Sequence, residues 1–143
     1  MRNSYSPWAE LSERPEIELK WKPLAGSLLG QYVHDLRRIH LDPCMSRRQA
    51  RSVLCHELRH ADTADEQTEC ATTTLRQEIR ANRIAAKLLV DIEDLGDAMV
   101  LHNNHLSAMA VELRVSDAIL AVRRDYLTRT EQQYLRRRMR EVA

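Results

Sequence analysis

His56-Glu57-Leu58-Arg59-His60 places two imidazoles four residues apart, with a carboxylate next to the first. On an α-helix, residues i and i+4 share a face because a turn takes 3.6 residues, so both rings can converge on one metal ion. Glu57 is rotated by about 100° from His56, beside the metal position rather than on it. From there a carboxylate can take a proton from a metal-activated water, which is how HExxH helices hydrolyse amides. Zinc suits this role: it accepts nitrogen and oxygen ligands and lowers the pKa of a bound water toward ~7. A third ligand is sought among the downstream carboxylates. Glu78 comes eighteen residues after His60, in the first turns of a second expected helix. Two histidines and that carboxylate would leave a fourth position for water, the open layout of a catalytic site. Asp65, Glu66 and Glu69 are rivals, but they lie in a polar stretch without helical support.

The motif needs a helix to carry it, and the sequence supplies one. Ser46-Arg47-Arg48-Gln49 is a capping-box pattern, in which a hydroxyl and an amide satisfy the free N–H groups of a first turn. Ala50, Val53, Leu54, Leu58 and Ala61 follow at spacings of three and four, as one buried face. The stretch from Asp62 to Thr73 is polar and reads as a loop. Thr74-Leu75-Arg76-Gln77 offers a second box, opening a helix through about Leu89, and further helices are expected over 91–101, 106–113, 116–126 and 130–140. Thr128 and Glu131 box the last of these. Ahead of the motif, Ser6-Pro7 starts a short helix. Ile17 to Trp21, Gly26 to Val33 and Arg38 to Leu41 read as strands, with a turn near His34-Asp35 and a stop at Asp42-Pro43. The expected fold is α+β: a small N-terminal antiparallel sheet, then a helical body of zincin-like layout. Residues 1–143 are read as one domain, with a sheet region over 1–45, metal-binding helices over 46–90 and C-terminal helices over 91–143. One strand ahead of the active helix should present a free edge along the cleft, where an extended substrate adds as a further strand.

Composition excludes several other roles. A balance of 22 basic and 21 acidic side chains gives no global electrostatic argument for nucleic acid or an anionic membrane. No window holds the ~20 apolar residues of a membrane span, and the polar start of the chain has no signal-like stretch. Cys44, Cys55 and Cys70 are odd in number and unpaired in spacing, which fits free thiols in a reducing cytoplasm.

Residues 51–61, Arg-Ser-Val-Leu-Cys-His-Glu-Leu-Arg-His-Ala, followed by Glu78-Ile-Arg-Ala-Asn-Arg-Ile-Ala-Ala-Lys-Leu-Leu89, resemble the ImmA/IrrE family of metallopeptidases. The resemblance spans roughly Gly30 to Leu127, and the two metal helices are its specific part. It implies that Glu78 is the third zinc ligand, and Asn82 and Leu89 fall where the family pattern expects them. It also implies a protein substrate: family members cleave a helix-turn-helix repressor, often encoded nearby on a phage or mobile element. Three departures stand out: Arg59 where a small residue is common, Ile84 for Phe, and Val90-Asp91 for Met-Pro.

Two rival functions remain in view. Leu106 to Arg123 has the rhythm of a helix-turn-helix, with Ala110, Val115, Ser116 and Ile119 at its characteristic positions, so a DNA-binding regulator using 105–126 is one rival. Against it, Arg114 stands where glycine usually supplies positive φ, and the second helix offers a groove only Arg123 and Arg124. Direct binding of nucleic acid is therefore not expected. The other rival is a zinc-stabilised binding module without catalysis. His102 and His105 are candidates to stabilise the oxyanion of a tetrahedral intermediate.

Overall fold

The computed structural model describes residues 3–143. Among these residues, seven helices and three strands follow the expected α+β order. Ser6 caps α1 (Pro7–Ser12), which carries proline at its start. Strands β1 (Glu18–Trp21), β2 (Gly30–Val33) and β3 (Arg38–Leu41) form a sheet in the order β1-β3-β2. The hairpin β2–β3 is antiparallel, with Gly30 opposite Leu41 and Tyr32 opposite Ile39. β1 runs parallel to β3, so the sheet is mixed rather than antiparallel throughout. The chain turns between β2 and β3 through a short 3-10 turn, His34–Leu36, closed by Arg37 at φ 46°. β2 is shorter than the sequence suggested. Gly26 takes φ 65°, which turns the chain out of an extended course, and regular pairing starts only at Gly30.

The Ser46–Gln49 capping box forms as expected and opens α2 (Arg47–Asp62). α3 spans Ala71–Leu89, α4 Ile92–Leu101, α5 Leu106–Leu113, α6 Asp117–Asp125 and α7 Arg129–Glu141. The Thr74–Gln77 pattern does not cap α3. The helix starts four residues earlier, with Cys70 as its N-cap, and the Thr74 N–H already donates to the Cys70 carbonyl as part of it.

α2 is buried on two faces, not one. Leu54 and Leu58 pack with Ile17, Tyr32, Ile39 and Leu41 of the sheet side. Cys55 belongs to a second core with Ala85, Ala86 and Leu89 of α3 and Leu95, Met109, Leu113 and Leu120 of the later helices. Burying a leucine side chain stabilises by about 1.5–3 kcal/mol, so apolar packing on both sides fixes the rotation of α2 about its axis. That rotation aims the histidines. The N-terminal half of α2 is further tied to the α5–α6 turn: Arg48 donates to the Val115 carbonyl and Asp117, and Arg51 to the Arg114 carbonyl. No helix among the described residues is long and apolar enough to cross a membrane.

Candidate metal centre

His56 and His60 project from one face of α2, as a four-residue spacing requires. Their Nε2 atoms lie 3.0 Å apart. Glu78, two turns into α3, meets both: one carboxylate oxygen is 3.1 Å from His56 Nε2 and the other 2.9 Å from His60 Nε2. One ligand atom from each residue falls within 4.8 Å of the other two, and no other His/Cys/Asp/Glu cluster of this kind exists among the described residues. Two imidazole nitrogens facing each other cannot both present lone pairs without a proton or a cation between them, and the carboxylate raises the demand for positive charge. The donor set therefore fits a divalent ion with two nitrogen ligands and one oxygen ligand.

The surroundings reinforce this fit. His60 Nδ1 lies 2.8 Å from the Asp65 carboxylate, which leaves Nε2 to face the cluster. Asp65 is in turn paired with Arg80 of α3. Burial alone would lower the His60 pKa, but the hydrogen bonds to Glu78 and Asp65 outweigh it and push it up to about 9. Hydrogen bonds from His56 and His60 hold the Glu78 carboxyl well below its usual range. Glu57 is 6% exposed. Its burial pushes the carboxyl pKa up, against the opposing pull of the two histidines.

The strand edge beside it follows from the β2–β3 ladder. The Asp42 N–H donates to the Leu29 carbonyl at 2.9 Å, so in the alternating antiparallel ladder residues 29, 31 and 33 bond to β3. Residues 30 and 32 then turn their main-chain groups away from β3, along the outer edge of the sheet. Gly30 is also tight against α2: a Cβ there would run into Val53 and lie 3.3 Å from Glu57.

The other sequence candidates are placed elsewhere. His102 faces Glu112 at 3.8 Å, and His105 caps α5, its Nδ1 accepting the Ala108 N–H. Neither lines the cavities beside Glu57 and Glu78. Glu66 lines one of those cavities without approaching the histidines as Glu78 does, and Glu69 is exposed in the loop. Asn82, one turn beyond Glu78, lines the same cavity as His56 and Glu57. Arg59 points to the back of α2, where it pairs with Glu10 of α1. It therefore faces away from the His56–His60–Glu78 cluster. The role of Asp65 was missed in the sequence, where it stood only as a rival ligand. Its signal was a carboxylate placed just after the helix end, close enough to fold back onto His60.

The helix-turn-helix rhythm is real, and Arg114 adopts φ 58° at the turn without being glycine. Its second helix is not free to read a groove, however. Arg123 is 4% exposed and bound to the Val90 carbonyl and Glu131. That leaves Arg124 as the one remaining arginine of α6.

A small sheet ahead of a helical body, with HExxH on its first long helix and a carboxylate from the next, defines a metallopeptidase-like zincin layout. The family model described as Peptidase_M78, IrrE N-terminal-like domain, matches residues 17–124, and the chain belongs to that family. No curated protein and no solved structure matches the chain.

Proposed function

We propose that the chain is a zinc-dependent endopeptidase in which His56, His60 and Glu78 hold the metal and Glu57 is the general base. The observation that carries this reading is the convergence of two Nε2 atoms and one carboxylate beside a buried glutamate. Bound zinc supplies Lewis acidity, which brings the pKa of a coordinated water toward ~7. Glu57 takes the proton of the attacking water on a carboxylate oxygen and delivers it to the departing amine nitrogen. A carboxyl whose pKa is raised by burial is suited to hold that proton near neutral pH. Asp65 fixes the ring of His60, and Arg80 fixes Asp65. The outward main-chain groups of Gly30 and Tyr32 offer an extended substrate a strand to pair with. Membership of the family supports a protein substrate, and we assign a helix-turn-helix repressor on the resemblance set out above. Three free thiols are consistent with action in the cytoplasm.

The test compares metal content and hydrolysis of a quenched-fluorescent peptide pool in wild type, Glu78→Ala and Glu57→Gln. Wild type and Glu57→Gln should each hold one zinc, with hydrolysis about 10²–10⁴-fold slower in the variant. Glu78→Ala should lose most of its zinc. Full zinc occupancy in Glu78→Ala would remove Glu78 from the ligand set. Zinc retention in wild type and Glu57→Gln with no hydrolysis in either would favour a zinc-stabilised binding module.

A further inference from the structure

Two cavities flank the His56–His60–Glu78 cluster, and their chemistry differs. The first, of about 630 Å³, is walled by Leu28, Leu29, Val53, Ala118 and Ile119. Its Arg48 and Asp117 neutralise one another across 2.9 Å, so beside its apolar wall and away from the cluster it presents only neutral polar side chains such as Gln49 and Asn82. The second, of about 410 Å³, is lined by Gln31, Glu66, Gln67, Thr74 and Gln77; no lysine or arginine is among its lining residues, and Arg80 offsets only the charge of Asp65 there. A third, of about 270 Å³, continues it past Gln31 and Glu66 to Asp35. Neither Glu66 nor Asp35 has an ion-pair partner among the described residues.

The three cavities are ordered along β2. The apolar one is built on Ala25 to Gly30, at the start of the strand; the second shares Leu28 and Gly30 with it and extends over Gln31 and Tyr32, and the third runs from Gln31 to Asp35, beyond the strand's end. A substrate that adds to the free edge antiparallel, the more stable ladder, runs against β2. Its amino side then lies over the polar, acidic cavities and its carboxyl side over the apolar one, with the scissile amide between them at the cluster.

We propose that this cleft selects a segment with an apolar side chain immediately after the scissile bond and a lysine or arginine within the three residues before it. The inference rests on the peptidase reading and adds the substrate class to it. Leu28, Val53 and Ile119 set the first preference; Glu66 and Asp35 set the second. One methylene in an apolar pocket changes selection about 10-fold or more, so the apolar preference is the stronger. An exposed charge pair contributes only a few-fold.

The test is cleavage-site profiling of a proteome-derived peptide library by the zinc-loaded full chain, read by mass spectrometry. Leu, Ile, Met or Phe should exceed Asp, Glu and Gly at least 10-fold after the bond, and Lys or Arg should be enriched about 3-fold before it. Glu66→Lys, at an exposed position, should reverse the charge preference to Asp and Glu. Ala118→Leu, also exposed, should shift the residue after the bond to smaller side chains. Cleavage without these preferences, or unchanged in both variants, overturns the inference and leaves the peptidase reading standing. If no peptide is cut, the peptidase reading fails, and fluorescence anisotropy of zinc-loaded Glu57→Gln decides the cleft. A labelled Lys-Arg-Leu-containing peptide bound at least 3-fold tighter than its Glu-Glu-Leu counterpart supports the acidic cavity, and equal binding overturns it.

Discussion

Raising the pH from 7 to 8 should tighten zinc binding by roughly tenfold, because the metal must displace a proton that the cluster holds firmly. In the metal-free chain His60 Nε2 sits between His56 Nε2 at 3.0 Å and a Glu78 oxygen at 2.9 Å, while Asp65 holds its other nitrogen. Burial lowers its pKa, but the hydrogen bonds to Glu78 and Asp65 outweigh that and place it at about 9. At pH 7 only about 1% of the chains then present a neutral His60, which costs zinc binding about 2.7 kcal/mol. At pH 8 the neutral fraction is about tenfold larger, and above pH 9 the gain levels off. The same proton is linked to folding. A folded pKa of about 9 against 6.5 for the free side chain contributes stability that is fully present below pH 6.5 and is lost as the pH rises through 9. The total is about 3 kcal/mol. Isothermal titration calorimetry with zinc, in buffers of different ionisation enthalpy, counts the released protons. Thermal unfolding of the chelator-stripped chain from pH 6.5 to 9 reads the second effect. Proton release near zero at pH 7, with equal affinity at pH 7 and 8, would refute the reasoning, since the two facing nitrogens would then share no proton.

Asp65→Asn should weaken zinc binding about 10–100-fold without abolishing it, as measured by chelator competition; an unchanged affinity would mean that His60 is oriented by packing alone. Arg123→Met should destabilise the chain by about 3–5 kcal/mol, because it strands the Glu131 carboxylate, now held down to about 2 by that arginine, and frees the Val90 carbonyl. The melting temperature should fall by about 10 °C with zinc content unchanged, and a fall below 3 °C would show the pair to be dispensable.

The sequence disclosed those parts of the structure that local chemistry decides. Ser46 with Gln49 and Thr128 with Glu131 begin helices by bonds made within four residues, so both starts could be read directly. Asp42-Pro43 stops β3 for an equally local reason. The start of α3 could not be read this way: residues 71–76 are all exposed, so no apolar period marks them, and their helix is recognisable only from backbone bonding. The direction of β1 was hidden too, because parallel pairing with β3 depends on how the chain returns, not on the alternation in Glu18–Trp21. At the site, the shared face of His56 and His60 is helical arithmetic and was legible, whereas the approach of Glu78 depends on how α3 packs against α2. The contact of Asp65 with His60 depends on the path of a loop, and the burial of Arg123 depends on a glutamate from the next helix. Both are tertiary facts about residues that look like ordinary surface charges in the sequence.

Two segments lie outside the matched span of 17–124, and each supplies the acid of a buried ion pair to an arginine within it. Glu131 of α7 binds Arg123, and Glu10 of α1 binds Arg59. The second pair accounts for the departure at Arg59, since a small residue inside the HExxH motif would leave Glu10 with Arg14 as its one cationic partner among the described residues. Around that pair, Tyr5 donates to Glu10 at 2.7 Å and contacts Cys55 Sγ at 3.3 Å, and Arg14 joins Glu10 to Asp62. The back of the metal helix is thus braced by the N-terminal segment, on the side opposite its histidines. Glu10→Ala should cost about 1.5–3 kcal/mol, because a charge-assisted hydrogen bond is lost and Arg59 stays buried with only Asp62 at 3.4 Å to face it. Arg59→Ala in the Glu10→Ala background should cost much less than Arg59→Ala alone, giving a coupling of at least ~1 kcal/mol in urea denaturation of the four forms. If the two substitutions add within ~0.5 kcal/mol, Arg59 is not held by Glu10, and the arginine inside the motif needs another explanation.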